Sequence, residues 1–315
     1  MVKKILLALC GVIVIALPFI IRSEYVLHLI MYVCMYSVLG MGFSMMWKNR
    51  LISVGQAGFW AIGAYTSALL VMKVGMSFWL TLLIGGVASA ILAFIVLGIA
   101  LRAGPLVFFA ISLVFGFIVI EVLGTVDFLG GWEGIFNIPT PSIGPFVFVS
   151  KTSFYYLALS ILVINIIVYR ALYNSRIGRA WKAIGSSVRL AEAQGINVYQ
   201  YRLAASVIAC FFAGVIGAFY AHYQTLLIPN TFGFLQSIYI QMYALIGGLS
   251  YFIAGPIVGV AVMVFLPEYL RIAAEFQPIF YGILLILIII FLPGGVLSIP
   301  KRFPYLTRVL GRIRE

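Results

Sequence analysis

Apolar runs of about 20 residues, the length that crosses a bilayer as an α-helix, alternate with short polar segments along the chain. A helix satisfies its own backbone hydrogen bonds in lipid. The pattern therefore predicts an all-α polytopic membrane protein that forms one transmembrane domain over residues 1–315. We expect about ten transmembrane helices, at residues 1–21, 25–47, 51–72, 78–101, 106–124, 154–173, 203–226, 237–251, 255–270 and 278–292.

The first run begins like a secretory signal peptide, with Lys3 and Lys4 before an apolar stretch. No small-x-small cleavage site follows, and the apolar residues continue to Arg22. We therefore expect a retained first helix, and removal as a signal peptide is the alternative.

The predicted span at 51–72 is unusually rich in small residues. It contains Gly55, Gln56, Gly58 and Gly63 within nine residues. Glycine in a spanning helix permits close packing or a break, and a glutamine placed there needs a hydrogen-bond partner.

The last three predicted spans are short. Gly247-Gly248 and Gly255-Pro256 bracket the turn between the first two of them. Short spans interrupted by glycine are typical of broken or re-entrant helices that line a cavity. Spans two to five and seven to ten also run in opposite directions, each group with a glycine-rich second member, which predicts an inverted repeat.

The basic residues mark the ends of the predicted spans. With ten spans and both termini in the cytoplasm, only four of the 20 basic residues fall in outer segments. This distribution satisfies the positive-inside rule, whereas nine spans would place one terminus outside and spoil it. The four outer residues are Arg22, Lys73, Lys151 and Arg271.

Composition excludes other classes of protein. Charged residues make up 9% of the chain, against about 25% in soluble domains. The net charge of +12 does not indicate nucleic-acid binding, because the basic residues sit at span ends. Cys10, Cys34 and Cys210 lie inside apolar segments, so we expect neither a disulfide nor a metal cluster, and His28 and His222 are far apart.

The sequence contains no arrangement of residues that predicts catalysis. There is no G-x-x-x-x-G-K-[ST] phosphate loop, so we expect that the chain does not hydrolyse ATP, and we expect no cofactor. The Phe and Tyr residues of the spans are interpreted as lipid-facing or packing residues.

The most polar segment between two spans is the basic loop, residues 175–202, in which Glu192 is the one acid. As a basic juxtamembrane stretch it suits an anionic lipid surface, the interpretation that the residues alone favour. A cytoplasmic protein partner is the alternative. The basic residues of this loop are Arg176, Arg179, Lys182, Arg189 and Arg202.

Helical spacing gives the basic loop an apolar stripe. Ser187 is placed to cap a second short helix that ends at Gly195. We therefore expect a pair of surface helices under the spans. The stripe consists of Ile177, Trp181, Ile184 and Val188.

The basic loop resembles the coupling loop of LivM-type permeases of branched-chain amino acid ABC importers. Their pattern I-G-R-A-x-x-A-I, followed by A-E-A-x-G-I-N, is matched at residues 177–184 and 191–197. Further family motifs are resembled in order by GQAGFWAIGAYTSALL at 55–70, FLGGWEGIFNIP at 128–139 and FLPGGV at 291–296.

The resemblance implies a permease subunit of an ATP-driven importer in the bacterial inner membrane, and the distribution of basic residues predicts that both termini are cytoplasmic. The resemblance also implies a LivH-like second permease subunit, two cytoplasmic ATPase subunits and a periplasmic or lipid-anchored solute-binding protein. Membrane lipid is expected around the spans, and no nucleic-acid partner is expected. The residues that the resemblance implies for ATPase coupling are Ile177, Gly178, Arg179, Ala180, Ala183, Ile184, Ala191, Glu192 and Gly195.

The resemblance also implies a path for the solute between two permease subunits, near residues 55–66 and 241–248. Selectivity would then lie mostly in the binding protein. The predicted path residues are Gly55, Gln56, Gly58, Gly63, Tyr65, Thr66, Glu121, Gln241, Gly247 and Gly248.

Two departures from the family pattern leave the solute open. In the fifth span the family's acid and base positions read Phe117 and Ile120, and the acid is Glu121. Residues 249–254 are bulkier than the family pattern leads us to expect. Branched-chain amino acids are the first expectation, and amides, urea and small aromatic acids are alternatives.

A self-sufficient secondary transporter or channel is the alternative function. It predicts coupling carboxylates and histidines in mid-membrane. Glu121 and Glu268 both lie near predicted outer ends, which gives little support to that class.

Three polar residues of the spans have a structural interpretation beside a functional one. Glu121 is interpreted as an interfacial acid or a partner of Lys151 or Arg271, ahead of a direct role in the path. Gln56 is a possible donor between helices. His222 is interpreted as a packing histidine rather than a proton carrier.

Overall fold

The chain folds into a bundle of α-helices in a computed structural model that describes residues 17–18, 23–143, 146–148, 150–269, 282–283, 286–287, 290–291 and 294–298. The helices are α1 Glu24–Lys48, α2 Gln56–Val74, α3 Phe78–Arg102, α4 Pro105–Thr125, α5 Lys151–Asn174, α6 Arg176–Ser186, α7 Val188–Ala193, α8 Val198–Gln224, α9 Phe234–Gly247 and α10 Ala254–Tyr269. The strands are β1 Ile135–Phe136, β2 Ser142–Ile143, β3 Phe146–Val147 and β4 Leu226–Leu227.

Within the described part of the chain, six helices are long and apolar enough to cross a membrane: α1 to α5 and α8. They confirm the prediction of a helical, multi-pass protein. The predicted count of ten is not confirmed. The predicted spans 237–251 and 255–270 are the shorter helices α9 and α10, and the predicted spans 1–21 and 278–292 lie almost entirely outside the described residues.

The predicted first residue of the span at 51–72 was wrong, because α2 begins at Gln56. The preceding residues 49–55, here called the connector, are not helical. Their backbone is satisfied elsewhere: the Val54 N–H donates to Ser112 Oγ at 3.1 Å. Gly55 packs against α4, where an added β-carbon would lie 3.0 Å from the Ser112 carbonyl carbon.

Helix α8 lies at the centre of the bundle, packed against α1, α2 and α3. Small residues permit this close approach. A β-carbon added to Gly63 of α2 would lie 2.5 Å from the Gly214 carbonyl carbon of α8. Ser89 Oγ of α3 donates to the Phe59 carbonyl of α2 at 2.8 Å, so a buried polar group also joins α3 to α2.

Helices α9 and α10 form a tight pair. A β-carbon on Gly247 would lie 2.5 Å from the Gly255 carbonyl carbon, so only glycine fits this contact. With 14 residues, α9 is about 21 Å long, which is shorter than a hydrocarbon core of about 30 Å. The inverted repeat stays a prediction.

The two ends of the bundle differ. At one end, Glu24 at the start of α1 forms an ion pair with Lys151 at 3.0 Å, and β1 pairs with β4. Lys151 therefore pairs with Glu24 rather than with Glu121, and the other predicted partner of Glu121, Arg271, lies outside the described residues. At the other end lie the connector, α6, α7 and the turn between α9 and α10, to which Lys48 donates a hydrogen bond at the Ser250 carbonyl.

Candidate functional site

The predicted pair of surface helices is confirmed as α6 and α7. Ser175 begins α6, and its side-chain oxygen accepts a hydrogen bond from the Ile177 N–H at 3.2 Å. Ser187 begins α7 in the same way, through the Leu190 N–H at 3.4 Å. Gly195 follows α7 with a φ of 78°, a conformation that favours glycine. The sequence therefore fixes both helix starts by local side-chain capping.

The apolar stripe of α6 faces the bundle. Trp181 is only 2% exposed, and its Nε1 donates to the Tyr201 carbonyl of α8 at 2.9 Å. Ile184 is fully buried in a small cluster with Ala191 and Val198. The stripe therefore holds α6 and α7 against the spans, and the opposite side of the pair faces away from the protein.

The nine predicted coupling residues differ in how far they are exposed to solvent. Arg179, Glu192 and Gly195 are exposed, and Ile177 and Ala183 are half-buried. The others help to hold the pair in place. These buried residues are Gly178, Ala180, Ile184 and Ala191.

One exposed apolar side chain stands out on the outward side. Leu190 of α7 is 65% exposed, and its neighbours Arg189 and Glu192 are exposed too. An exposed apolar side chain with charged neighbours matches the apolar centre and polar rim of protein interfaces. Leu190 was not among the sequence-predicted residues, because only the packing of α7 shows which side faces outward.

Arg50 ties the connector to α6. Its Nε donates to the Gly185 carbonyl at 2.9 Å, and its Nη2 donates to the Ser186 carbonyl at 3.4 Å. A β-carbon on Gly185 would lie 2.5 Å from the Lys48 carbonyl oxygen, so the chains meet closely here. On the other side of the connector, Arg202 Nε donates to the Asn49 carbonyl at 3.0 Å.

A cavity of about 540 Å³ lies beside this contact, between the end of α1, α6 and the turn at 249–252. Three of its lining residues are cations, and we call it the basic cavity. Lys182 Nζ lies 4.1 Å from the centre of the Tyr173 ring. The three cations are Lys48, Arg50 and Lys182.

The predicted path glycines lie at helix contacts. Gly55 and Gly58 face α4, where a β-carbon on Gly58 would lie 3.3 Å from the Gly116 Cα. Gly63 faces α8, as described above. Gly247 faces α10, and Gly248 has a φ of 108° in the turn that follows α9. The structure therefore brings these positions into helix packing, and their role in a solute path stays a prediction.

The polar path residues are dispersed. Gln56 is 1% exposed, and its Nε2 donates to the Leu39 carbonyl at 2.7 Å, which confirms it as a donor between helices. Gln241 Nε2 donates to the Ser53 carbonyl at 3.4 Å, and the buried Tyr65 hydroxyl reaches the Leu227 carbonyl at 3.5 Å. Thr66 is half-buried, and Glu121 is exposed.

His222 is a buried packing histidine, as predicted. Its ring contacts Ser67 Oγ at 3.0 Å and the Pro139 carbonyl at 2.6 Å, edge-on to Phe78. Among the residues that the structure describes, no group of three or more His, Cys, Asp or Glu side chains is placed to hold a metal ion.

A second cavity, of about 510 Å³, opens where α9 begins. Four tyrosines from three helices line it, and we call it the tyrosine cavity. Sequence reasoning missed it, because residues this far apart in the chain converge only after folding. The four are Tyr32, Tyr36, Tyr220 and Tyr239.

Comparison with known proteins gives the family. The model of the permease component of branched-chain amino acid transport systems matches residues 25–292. The chain is 28% identical over 324 residues to the high-affinity branched-chain amino acid transport system permease protein LivM of Salmonella typhimurium, covering 95% of this chain and 76% of the relative. The Escherichia coli protein of the same name is 28% identical over 325 residues, with the same coverage.

A nucleoside ABC transporter permease protein, NupC of Lactococcus lactis, is 27% identical over 192 residues, covering 55% of this chain and 59% of the relative. No solved structure matches the chain. The match to the family model spans most of the chain and covers α2 to α10 and all but the first residue of α1. The chain therefore belongs to the family of permease components of branched-chain amino acid transport systems, and it is the multi-pass permease subunit of an ABC importer rather than an enzyme.

Proposed function

We propose that this permease works with a LivH-like second permease subunit, two cytoplasmic ATPase subunits and a periplasmic or lipid-anchored solute-binding protein. Its solute is a branched-chain amino acid or a related small molecule, in keeping with the LivM relatives and the nucleoside permease. In this proposal the protein lies in the bacterial inner membrane with both termini in the cytoplasm, which places the α6–α7 pair on the cytoplasmic side.

The outward side of the α6–α7 pair is the proposed ATPase contact. The observation that carries this assignment is the inward orientation of the apolar stripe, with Trp181 2% exposed. The side that is left for a partner presents Arg179, Leu190 and Glu192, which combine one apolar anchor with charges of both signs. The lipid-surface alternative is disfavoured, because the apolar face that would enter lipid is already covered by the bundle.

A movement of α6 can be transmitted directly to a membrane-spanning helix. The hydrogen bonds of Arg50 join α6 to the connector, and the connector leads into α2 at Gln56. The basic cavity beside α6 leaves space for a shift of this helix without repacking of the core. In this mechanism the glycines at Gly55, Gly58 and Gly63 permit α2 to slide against α4 and α8 as access alternates.

The test is substitution on the outward side of the pair in the complete transporter. Glu192→Lys and Leu190→Ala should weaken copurification of the ATPase subunits and lower ATP-driven uptake in proteoliposomes by at least about tenfold, which corresponds to about 1.4 kcal/mol. Gln200→Ala, at an exposed position of α8, is the matched control. Gly178 is unsuitable for this test, because an added β-carbon would lie 2.6 Å from the Leu172 carbonyl oxygen and disturb the fold itself.

Normal assembly and uptake in both variants would contradict the coupling assignment. Uptake that proceeds in the absence of any ATPase subunit would instead support a secondary transporter or channel. That alternative has no specific observation in its favour among the described residues.

A further inference from the structure

The tyrosine cavity occupies a place that the short helix α9 leaves open. Helix α9 has 14 residues, about 21 Å, so it does not reach across a bilayer of about 30 Å. The link that precedes it, residues 228–233, turns into the bundle instead, and Phe232 is fully buried against Trp60 and Tyr220. The tyrosine cavity is the space that remains next to the start of α9.

The tyrosine cavity is deep rather than superficial. Tyr36 is the thirteenth of the 25 residues of α1, which places it about 18 Å from Glu24 along the helix. Tyr36 also contacts Trp60 of α2 and Tyr243 of α9, with ring centres 6.0 Å and 5.5 Å apart. The floor of the cavity is therefore joined to α2, the helix that follows the connector.

The lining of the tyrosine cavity is aromatic and polar but uncharged. Amide and hydroxyl groups of Asn230, Thr231 and Gln236 accompany the four tyrosines, and none of the described residues that line the cavity is charged. Gln236 Nε2 donates to the Tyr36 hydroxyl, and the Tyr32 and Tyr36 rings stack with centres 5.7 Å apart. These contacts orient the Tyr32 and Tyr36 rings.

We propose that the tyrosine cavity binds the transported solute, and that this solute is an uncharged, planar ring compound with hydrogen-bonding edges, such as a nucleobase or an aromatic amide. This inference rests on the proposed function. Aromatic walls favour a flat ring through stacked and edge-on contacts. A volume of about 510 Å³ suits a small molecule. Of the solutes in the proposed function, a ring compound fits this cavity better than a branched-chain amino acid, whose carboxylate and ammonium groups would lose water and meet no charged partner among the described residues that line it.

The experiment uses the complete transporter, purified and reconstituted with its ATPase subunits and binding protein. Radiolabelled adenine, uracil and benzamide are compared with leucine in ATP-driven uptake and in equilibrium binding to the transporter without the binding protein. We expect at least one ring compound to bind and to be transported. Tyr36→Leu and Tyr239→Leu should raise KM and Kd for that compound at least tenfold, while Tyr36→Phe should stay within threefold of wild type. Tyr25→Leu, at a 43% exposed position of α1 outside the cavity, is the matched control.

ATP-driven uptake of leucine, with no binding or transport of the three ring compounds, would overturn this inference and leave the proposed function standing. If a ring compound is transported and its KM is the same in Tyr36→Leu, Tyr239→Leu and wild type, this inference would also be overturned. ATP-independent uptake would contradict the proposed function and, with it, this inference. Retained ATPase copurification in the Tyr36→Leu transporter shows that a raised KM does not arise from misfolding.

Discussion

Arg50 Nε lies 2.9 Å from the Gly185 carbonyl oxygen, so one side chain joins the connector to α6. The φ of Arg50 is 60°, a left-handed conformation that is uncommon for residues other than glycine. The surrounding contacts hold it there. Because α6 is the proposed ATPase contact and the connector leads into α2, this hydrogen bond links the proposed contact to a membrane-spanning helix.

Removal of the Arg50 side chain should uncouple ATP hydrolysis from uptake. Arg50→Gly deletes both hydrogen bonds and fits the φ of 60° without strain, while the backbone gains the flexibility of glycine. A charged donor contributes about 1.5–3 kcal/mol when buried, and less at this exposed site. We expect the ratio of solute taken up to ATP hydrolysed to fall roughly tenfold.

The matched control for Arg50 is Asn137→Gly, at a residue with a φ of 57° near the other end of the bundle. It also removes a side chain from a left-handed position, and it should leave the ratio unchanged. An unchanged ratio in Arg50→Gly would contradict the proposed route through the connector.

Substitution of Trp181 should release the α6–α7 pair from the bundle. Trp181→Ala removes a buried ring and the hydrogen bond to the Tyr201 carbonyl, at a cost of about 3–5 kcal/mol. Trp181→Phe loses the hydrogen bond and part of the packing, at about 1 kcal/mol. Trypsin should cut within residues 176–189 fastest in Trp181→Ala, more slowly in Trp181→Phe and slowest in wild type.

Ser186→Ala is the control for Trp181, because the hydroxyl of this exposed serine donates within its own helix, to the Ala183 carbonyl. Equal rates of cleavage in Trp181→Ala and Ser186→Ala would show that the stripe does not hold the pair in place. The measurement needs no solute and no ATPase, so it tests the fold independently of the function.

Some elements could be predicted from the sequence alone, and the reason is local. Helix α3 runs from Phe78 to Arg102, against a prediction of 78–101, because a continuous apolar run ends at an arginine and a Gly-Pro step. The stripe of α6 follows helical spacing in the same way. In each case the residues that decide the structure are neighbours in the chain.

The features that were missed depend on distant residues. Helix α2 starts late because Ser112, 58 positions along the chain, accepts the Val54 N–H. The outward side of α7 depends on how Ile184 and Ala191 pack against Val198. The tyrosine cavity combines residues of α1, α8 and α9. Neither the hydrophobic periodicity nor the composition of the sequence predicts these contacts between distant residues.

Close packing of α2 on α8 should not tolerate a side chain at Gly63. Gly63→Ala would place a β-carbon 2.5 Å from the Gly214 carbonyl carbon, and backbone on both sides leaves little room to relax. Overpacking costs about 1–3 kcal/mol, and we expect the upper part of that range. The melting temperature of the purified protein in detergent should fall by several degrees.

Gly98→Ala provides the comparison for Gly63, because its β-carbon would meet Leu203 Cδ1 at 3.5 Å, an ordinary contact. Alanine is also the better helix former, so this variant should be neutral or slightly stabilised. Equal melting temperatures for the two variants would mean that the α2–α8 contact is looser than described.

Gln56 provides a test of whether the predicted path residues contact the solute. Gln56→Leu removes the hydrogen bond from Nε2 to the Leu39 carbonyl. Hydrogen bonds between membrane helices average about 0.6 kcal/mol. The Oε1 atom of Gln56 is buried without a hydrogen-bond partner among the described residues, so the leucine also removes an unsatisfied acceptor. A structural role therefore predicts a small loss of stability, below about 1 kcal/mol, and an unchanged KM.

Ser89→Ala removes a comparable bond between helices, from Ser89 Oγ to the Phe59 carbonyl at 2.8 Å, and serves as its control. If Gln56→Leu raises KM for the solute tenfold while Ser89→Ala does not, and both melt within two or three degrees of wild type, Gln56 contacts the solute. In that case the path runs past the start of α2, and Gln56 acts directly. Equal, small effects of the two substitutions leave Gln56 with the packing role that its hydrogen bond indicates.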